Sequence, residues 1–166
     1  MPDGKTHNFI WKICYIAVIP TTIAIYNYED LPTAAGFFVG YSMGAIISPD
    51  WDLVAITKDE SNAIRVPVIG TLLYGLSSMY GAVFRNHHRS IWTHGYIIST
   101  AIRMLYLFWW LSLLYYFGII PYQDWQLWFG VGLFSGMCVA DSLHYTVDLL
   151  VSDVKRKTRK TKRSKK

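Results

Sequence analysis

Four apolar stretches limit what this chain can fold into. A transmembrane helix needs about 20 mostly apolar residues, and four segments of the 166-residue chain approach or exceed that length. They cover residues 8–28, 33–48, 95–117 and 125–151. The sequence therefore predicts an all-α membrane protein with four transmembrane helices.

A fifth stretch, residues 66–84, is less apolar and contains three glycines and Pro67. Hydropathy alone allows a fifth span there, but the distribution of charge argues against it. With four spans, the loops at residues 26–32 and 118–124 share one side and carry no Lys or Arg. The other side receives Lys5, Lys58, Arg65, Arg85, Arg89 and the basic C-terminus. This bias predicts that both termini are cytoplasmic, and it favours an interfacial or re-entrant helical segment at residues 66–84.

The basic character of the chain belongs to its C-terminal end. Residues 155–166 hold nine of the sixteen Lys and Arg and no acidic residue, although the whole chain carries only +5. Residues 1–154 therefore carry −4 and form the predicted transmembrane domain. We predict that residues 155–166 are a disordered basic tail. Because the tail directly follows an apolar segment, we expect it to contact anionic lipid headgroups, and binding to nucleic acid is less favoured.

Ionisable residues gather at the predicted cytoplasmic ends of the four spans. All five histidines of the chain belong to this group, which the positive-inside argument did not use. Asp141, His144 and Asp148 share one face of the fourth span at spacings i, i+3 and i+7. Charged groups within a span persist where they pair, line water or bind an ion. The candidate metal ligands are His7, Asp50, Asp52, His88, His94, Asp141, His144 and Asp148.

Imidazole and carboxylate ligands suit a divalent metal ion, with zinc or manganese preferred. Cys14 and Cys138 lie in apolar stretches without metal-ligand spacing, so a thiolate site is not predicted. The number of ligands allows one or two ions. Each residue also has a simpler interpretation, such as a helix stop at Asp50 or a solvated side chain at Asp148. The combination within one membrane face favours a metal site.

Several motifs resemble one bacterial family of small membrane proteins described only as metal-binding. The opening MPDGKTH, the segment SPDWDL, and HHRSIWTHG followed by TAIRMLYL carry this resemblance. More distantly, the order of His and Asp motifs is similar to the YdjM-like membrane-bound metal-dependent hydrolases. The resemblance extends from Met1 to about Asp148. Residues 66–84 depart from it because they are more apolar and richer in Gly.

The resemblance implies ligand-like positions for six residues, with Arg89 as a neighbour and His87 as an extra histidine. The six are His7, Asp50, Asp52, His88, His94 and His144. It also implies a multi-pass protein of the bacterial inner membrane.

Two functions remain open at this point. In the first, the chain is a metal-dependent hydrolase in which His88, or an Asp that does not bind the metal, acts as a general base. Arg89 and Arg103 would then bind a phosphate-bearing or lipid-like substrate. Arg103 could equally pair with Asp141 or Asp148. In the second, the chain is a non-catalytic, metal-stabilised membrane scaffold or partner-binding protein.

Overall fold

The computed structural model describes residues 4–46, 69–84 and 97–164. These residues form five helices and no strand, which confirms the all-α prediction for this part of the chain. The helices are α1 (Gly4–Tyr28), α2 (Leu31–Ile46), α3 (Ile69–Phe84), α4 (Ile98–Tyr116) and α5 (Asp124–Ser164).

Local signals in the sequence set the helix boundaries. Asp30 precedes α2, and its Oδ1 accepts a hydrogen bond of 2.6 Å from the backbone N–H of Thr33. This contact satisfies one of the free donors in the first turn of the helix. At the end of α4, Gly118 has a φ of 67°, a conformation that glycine adopts without a steric cost. The Gly118 and Ile119 amides donate to Tyr115 and Leu114, as in a Schellman motif.

Glycine allows α2 and α5 to pack backbone against backbone. A Cβ on Gly36 would overlap the Phe129 carbonyl oxygen, and a Cβ on Gly40 would overlap that of Leu133. The opposite helix contributes in the same way, because a Cβ on Gly132 or Gly136 would overlap a carbonyl oxygen of α2. Gly36, Gly40 and Gly44 stand every fourth residue along α2, a spacing of small residues that permits such a close approach.

The same contacts show that α2 and α5 are parallel. Along α2, Gly36 lies beside Phe129, Gly40 beside Leu133 and Gly44 beside Ala140. Because the residue numbers rise together, both helices begin at one end of the bundle. The C-terminal end of α2 therefore lies at the level of Ala140.

The other helices pack around this pair. On α1, the Tyr15 hydroxyl lies 2.9 Å from Ser42 Oγ, and Val18 joins a buried cluster of α2 and α5 side chains that includes Tyr41. Helix α3 packs on α4, where the Tyr106 hydroxyl donates to the Leu76 carbonyl at 3.0 Å. The second buried cluster contains Tyr80 and Leu107 from these two helices.

Within the described residues, one helix is long and apolar enough to cross a membrane by itself, namely α4. Four transmembrane helices are therefore not supported by length and composition. Helix α2 has only 16 residues, and α1 contains Lys12 and Pro20. Helix α5 carries Asp141 and His144 within its apolar part, which lowers its mean hydropathy.

The C-terminal end differs from the prediction of a disordered tail. Helix α5 continues without a break to Ser164, so residues 155–164 are helical. Two physical reasons account for the difference. Lys and Arg have good intrinsic helix propensity, and extending an existing helix avoids the unfavourable nucleation step.

The glycine contacts predict opposite effects for two neighbouring substitutions on α5. Gly132→Ala places a Cβ against the Thr33 carbonyl, so the helices must separate. We expect a loss of about 1–3 kcal/mol in the free energy of unfolding. Gly130→Ala is the matched control, because a Cβ there has no atom of the described residues within 4 Å. Its better helix propensity predicts no loss or a small gain. Denaturant unfolding in detergent measures both, and equal effects would contradict the proposed backbone contact.

Candidate metal centre

Three helix ends come together along the middle of α5. The C-terminal end of α2 lies there because Gly44 is beside Ala140. The N-terminal half of α4 lies there because Arg103 contacts Asp141. The N-terminal half of α1 points the same way, since Tyr15 is bonded to Ser42 near the end of α2. We refer to this region as the polar end of the bundle.

A buried ion pair links α4 to α5 at the polar end. Arg103 Nη2 donates a hydrogen bond to Asp141 Oδ2, and the Thr100 hydroxyl donates to the same oxygen. Arg103 is 0% exposed and Asp141 is 2% exposed. Burial of either charge alone is costly, so each residue depends on the other for its place inside the protein. Of the interpretations open for Arg103, the structure shows the pair with Asp141.

His144 and Asp148 continue the face of α5 that Asp141 begins. His144 Nε2 lies 3.6 Å from Asp148 Oδ2, and both side chains are mostly buried. This separation is longer than a hydrogen bond. It brings an imidazole and a carboxylate side by side, one helical turn apart.

The structure places four of the predicted site residues in two pairs, Arg103 with Asp141 and His144 with Asp148. For His7 it describes the helical backbone of α1 but not the side chain. The remaining predicted site residues lie outside the described residues: Asp50, Asp52, His88, Arg89 and His94.

The donors in the described residues suit a divalent ion by their chemistry. His144 and Asp148 supply the ligand types that zinc and manganese accept. Asp141 Oδ1 is buried and has no hydrogen-bond partner within the described ranges. However, no group of three or more His, Cys, Asp or Glu side chains that could hold a metal occurs among these residues. The described donors therefore fit part of a coordination shell.

Thr100 belongs to this cluster, and the sequence analysis did not identify it. It is 0% exposed and shares the Asp141 carboxylate with Arg103. A usable signal was present, because Thr100 precedes Arg103 by three residues and so shares its helical face. The hydroxyl of a threonine is too common in apolar helices to stand out by itself.

A family model matches most of this chain. The model described as "Uncharacterized metal-binding protein (DUF2227)" matches residues 2–131, which is more than half of the 166-residue chain. The chain belongs to this family. The predicted metal-binding character is thereby supported in general terms. The matched segment contains His7, Asp50, Asp52 and the histidines before α4, but it ends before Asp141 and so falls short of the extent that the sequence resemblance suggested.

Comparisons with curated proteins and with solved structures give no significant match. The similarity to YdjM-like hydrolases and the bacterial origin stay predictions.

The buried pair predicts a large difference between two aspartates of α5. Asp141→Asn leaves the Arg103 charge buried without its counter-charge, so we expect a loss of about 3–5 kcal/mol in the free energy of unfolding. Asp153→Asn is the matched control, because Asp153 pairs with Arg156 at 3.5 Å on the surface, with both side chains more than half exposed. A surface pair contributes about 0–1 kcal/mol. Unfolding in detergent measures both variants, and a small effect at Asp141 would contradict the assigned pair.

Proposed function

We propose that this chain is an integral membrane protein that binds a divalent metal ion at its polar end. We further propose that it is a metal-dependent hydrolase acting on a phosphoester or lipid-like substrate at the cytoplasmic face of a membrane. Metal binding is the property that describes its family. Our proposal adds three points to this family property: membrane integration, hydrolysis and the identity of the metal ligands.

The polarity of the fold supports membrane integration. Many large apolar side chains are on the outside, including Ile16 at 76% and Leu105 at 71% exposure, while Arg103 and Asp141 are buried. A soluble protein rarely exposes so much contiguous apolar surface. In a bilayer the same surface faces lipid, and ionisable residues face the bundle interior.

Exposed aromatic rings at the opposite end of the bundle also suit a membrane boundary. Tyr28 ends α1, Tyr116 ends α4 and Tyr122 precedes α5, and all three are exposed. Tyrosine rings are favoured at the interface between lipid and water. These observations favour four spans formed by α1, α2, α4 and α5, with α3 as the interfacial or re-entrant segment.

The meeting of helix ends is the single observation that carries the metal-site proposal. The chain leaves α2 at Ile46 and enters α4 at Ile98, and both of these ends lie at the level of Asp141 and His144. The backbone of His7 lies eight residues before Tyr15, about 12 Å further toward the same end. Glycine contacts and an ion pair set this arrangement, independently of the histidines. It supports a shell formed by His144 with His7, Asp50, Asp52 and His94.

A divalent ion in this shell would lower the pKa of a bound water to about 7 and polarise the bond to be cut. The chain's own residues have the remaining tasks. His88 would accept the proton of the attacking water. Arg89 would bind a phosphate oxygen through its planar guanidinium. We propose zinc or manganese, in one or two sites, because the ligands are nitrogen and oxygen.

A non-catalytic scaffold is the second candidate, and the position of Arg103 favours it. This guanidinium is fully buried against Asp141, so one of the two arginines suggested for substrate binding has a structural partner instead. A structural metal site has closed coordination, whereas a catalytic site keeps one position for water. Exchange of bound water on the loaded protein distinguishes the two.

The basic end of α5 supports an orientation of the protein. Nine Lys and Arg follow Val154 without an acidic residue, and such segments are favoured on the cytoplasmic side beside anionic lipid. We propose that both termini are cytoplasmic and that the basic segment contacts lipid headgroups. The inner membrane of a bacterium is the proposed location.

Metal content tests the site. Detergent-purified protein, stripped and reloaded, should hold one or two equivalents of zinc or manganese by elemental mass spectrometry. Asp50→Ala combined with His144→Ala should lose most of it, because two ligands of one shell are removed. Asp124→Ala is the control, since Asp124 starts α5 at the opposite end. Unchanged metal content in the double variant would exclude these residues as ligands.

Topology is tested by cysteine accessibility in a background without Cys14 and Cys138. Single cysteines at positions 30 and 122 should react with a membrane-impermeant reagent from the outside of intact cells. Ser90→Cys should react only after the membrane is opened, because four spans place residue 90 with the basic tail. Reaction of all three from outside would refute the four-span arrangement.

A further inference from the structure

The buried carboxylate of Asp141 lies one turn before His144 on the same face of α5. Its Oδ2 receives hydrogen bonds from two residues of α4, Arg103 and Thr100. The contact therefore fixes both the height and the rotation of α5 against α4 at the point where the proposed metal shell begins. The glycine contacts with α2 reach along α5 as far as Ala140, but they do not involve α4.

The hydrogen bonds from Arg103 and Thr100 to Asp141 restrict how α5 can move near His144. A hydrogen-bonded ion pair in a buried site holds its geometry more strictly than apolar contacts do, because the bonds weaken steeply when the donor angle changes. Helix α4 begins four residues after His94, and α5 carries His144. The Arg103–Asp141 contact therefore fixes the position of α5, which carries His144, relative to α4, which follows His94 in the chain.

Arg103 is poorly placed to bind a substrate. Its side chain is 1% exposed, and its charge is compensated by Asp141. An anionic substrate would have to displace the Asp141 carboxylate from Arg103. This would leave a buried charge without a counter-charge, which is unfavourable.

We propose that Arg103 and Thr100 are positioning residues for the metal centre and act through Asp141. They hold the carboxylate of Asp141 and so fix, against α4, the turn of α5 that carries His144. In this proposal Asp141 supports the shell through its Oδ2 contacts and is not itself a direct ligand. This inference rests on the proposed metal site.

Cobalt(II) is the probe for the test, because its visible spectrum reports the geometry of its ligands and its affinity is measured in the same titration. The variants are Thr100→Val and the double variant Arg103→Met/Asp141→Leu. The double variant replaces the ion pair by apolar side chains, a change that buried pairs often tolerate without loss of stability. Thr100→Val removes one donor while the pair remains. Thr146→Val is the matched control, since its hydroxyl bonds to the Ser142 carbonyl of its own helix.

We expect the double variant to fold and to bind cobalt roughly 10–100-fold more weakly, the range typical for loss of a residue that orients a ligand. Its spectrum should change in shape. Thr100→Val should show a smaller loss in the same direction, and Thr146→Val should match the unaltered protein. A merely structural pair predicts a changed melting temperature with the original spectrum and affinity.

The inference is overturned if the double variant folds and binds cobalt with the original affinity and spectrum. If the double variant does not fold, Thr100→Val decides, and an unaltered titration there overturns the inference. Failure of the proposed function gives a different result, because the unaltered protein would then bind neither cobalt nor zinc.

Discussion

The backbone contact between α2 and α5 is the constraint on which the rest of the structure depends. With glycine at four facing positions, the two helices approach until their carbonyl groups contact the opposite backbone. At this distance the two helices cannot shift along each other, because a residue larger than glycine would then come to lie at a contact point and overlap the opposite backbone. This contact sets the two helices parallel and in register. The ends of α1 and α4 then fall at the same level, through Tyr15 on one side and Arg103 on the other.

The bundle has charged side chains in its interior and many apolar side chains on its surface. An Arg and an Asp that are almost fully buried, beside apolar side chains that are widely exposed, are the reverse of the usual soluble arrangement. Arg103 and Asp141 can be buried because their opposite charges compensate each other, and because the Thr100 hydroxyl donates a second hydrogen bond to the Asp141 carboxylate. In the proposed membrane setting, the exposed apolar surface would contact lipid.

Local signals in the sequence predicted much of this fold. The predicted loop at residues 26–32 contains Asp30, which caps α2, and the predicted loop at residues 118–124 begins with Gly118, which follows α4. The spacing of Gly36, Gly40 and Gly44 permits a close helix contact, but it does not identify the partner helix. Gly132 and Gly136 looked ordinary because a single sequence contains no information on which helices face each other. The prediction of a disordered tail was also wrong. Its charge pattern indicated disorder, while its attachment to an existing helix favours continued helix to Ser164.

The candidate site was predicted in part, and its charges allow one further step. Asp141 was expected to need a partner, and Arg103 is that partner. Because this pair is neutral, it contributes no net charge to balance a divalent cation at the polar end. The proposed shell must therefore bring its own negative charge, and Asp50 with Asp52 would supply two. In the proposed centre, these two carboxylates would balance one divalent ion, and a second ion would need further negatively charged ligands. That second ion would stay without compensation unless Asp148 or a metal-bound hydroxide adds negative charge.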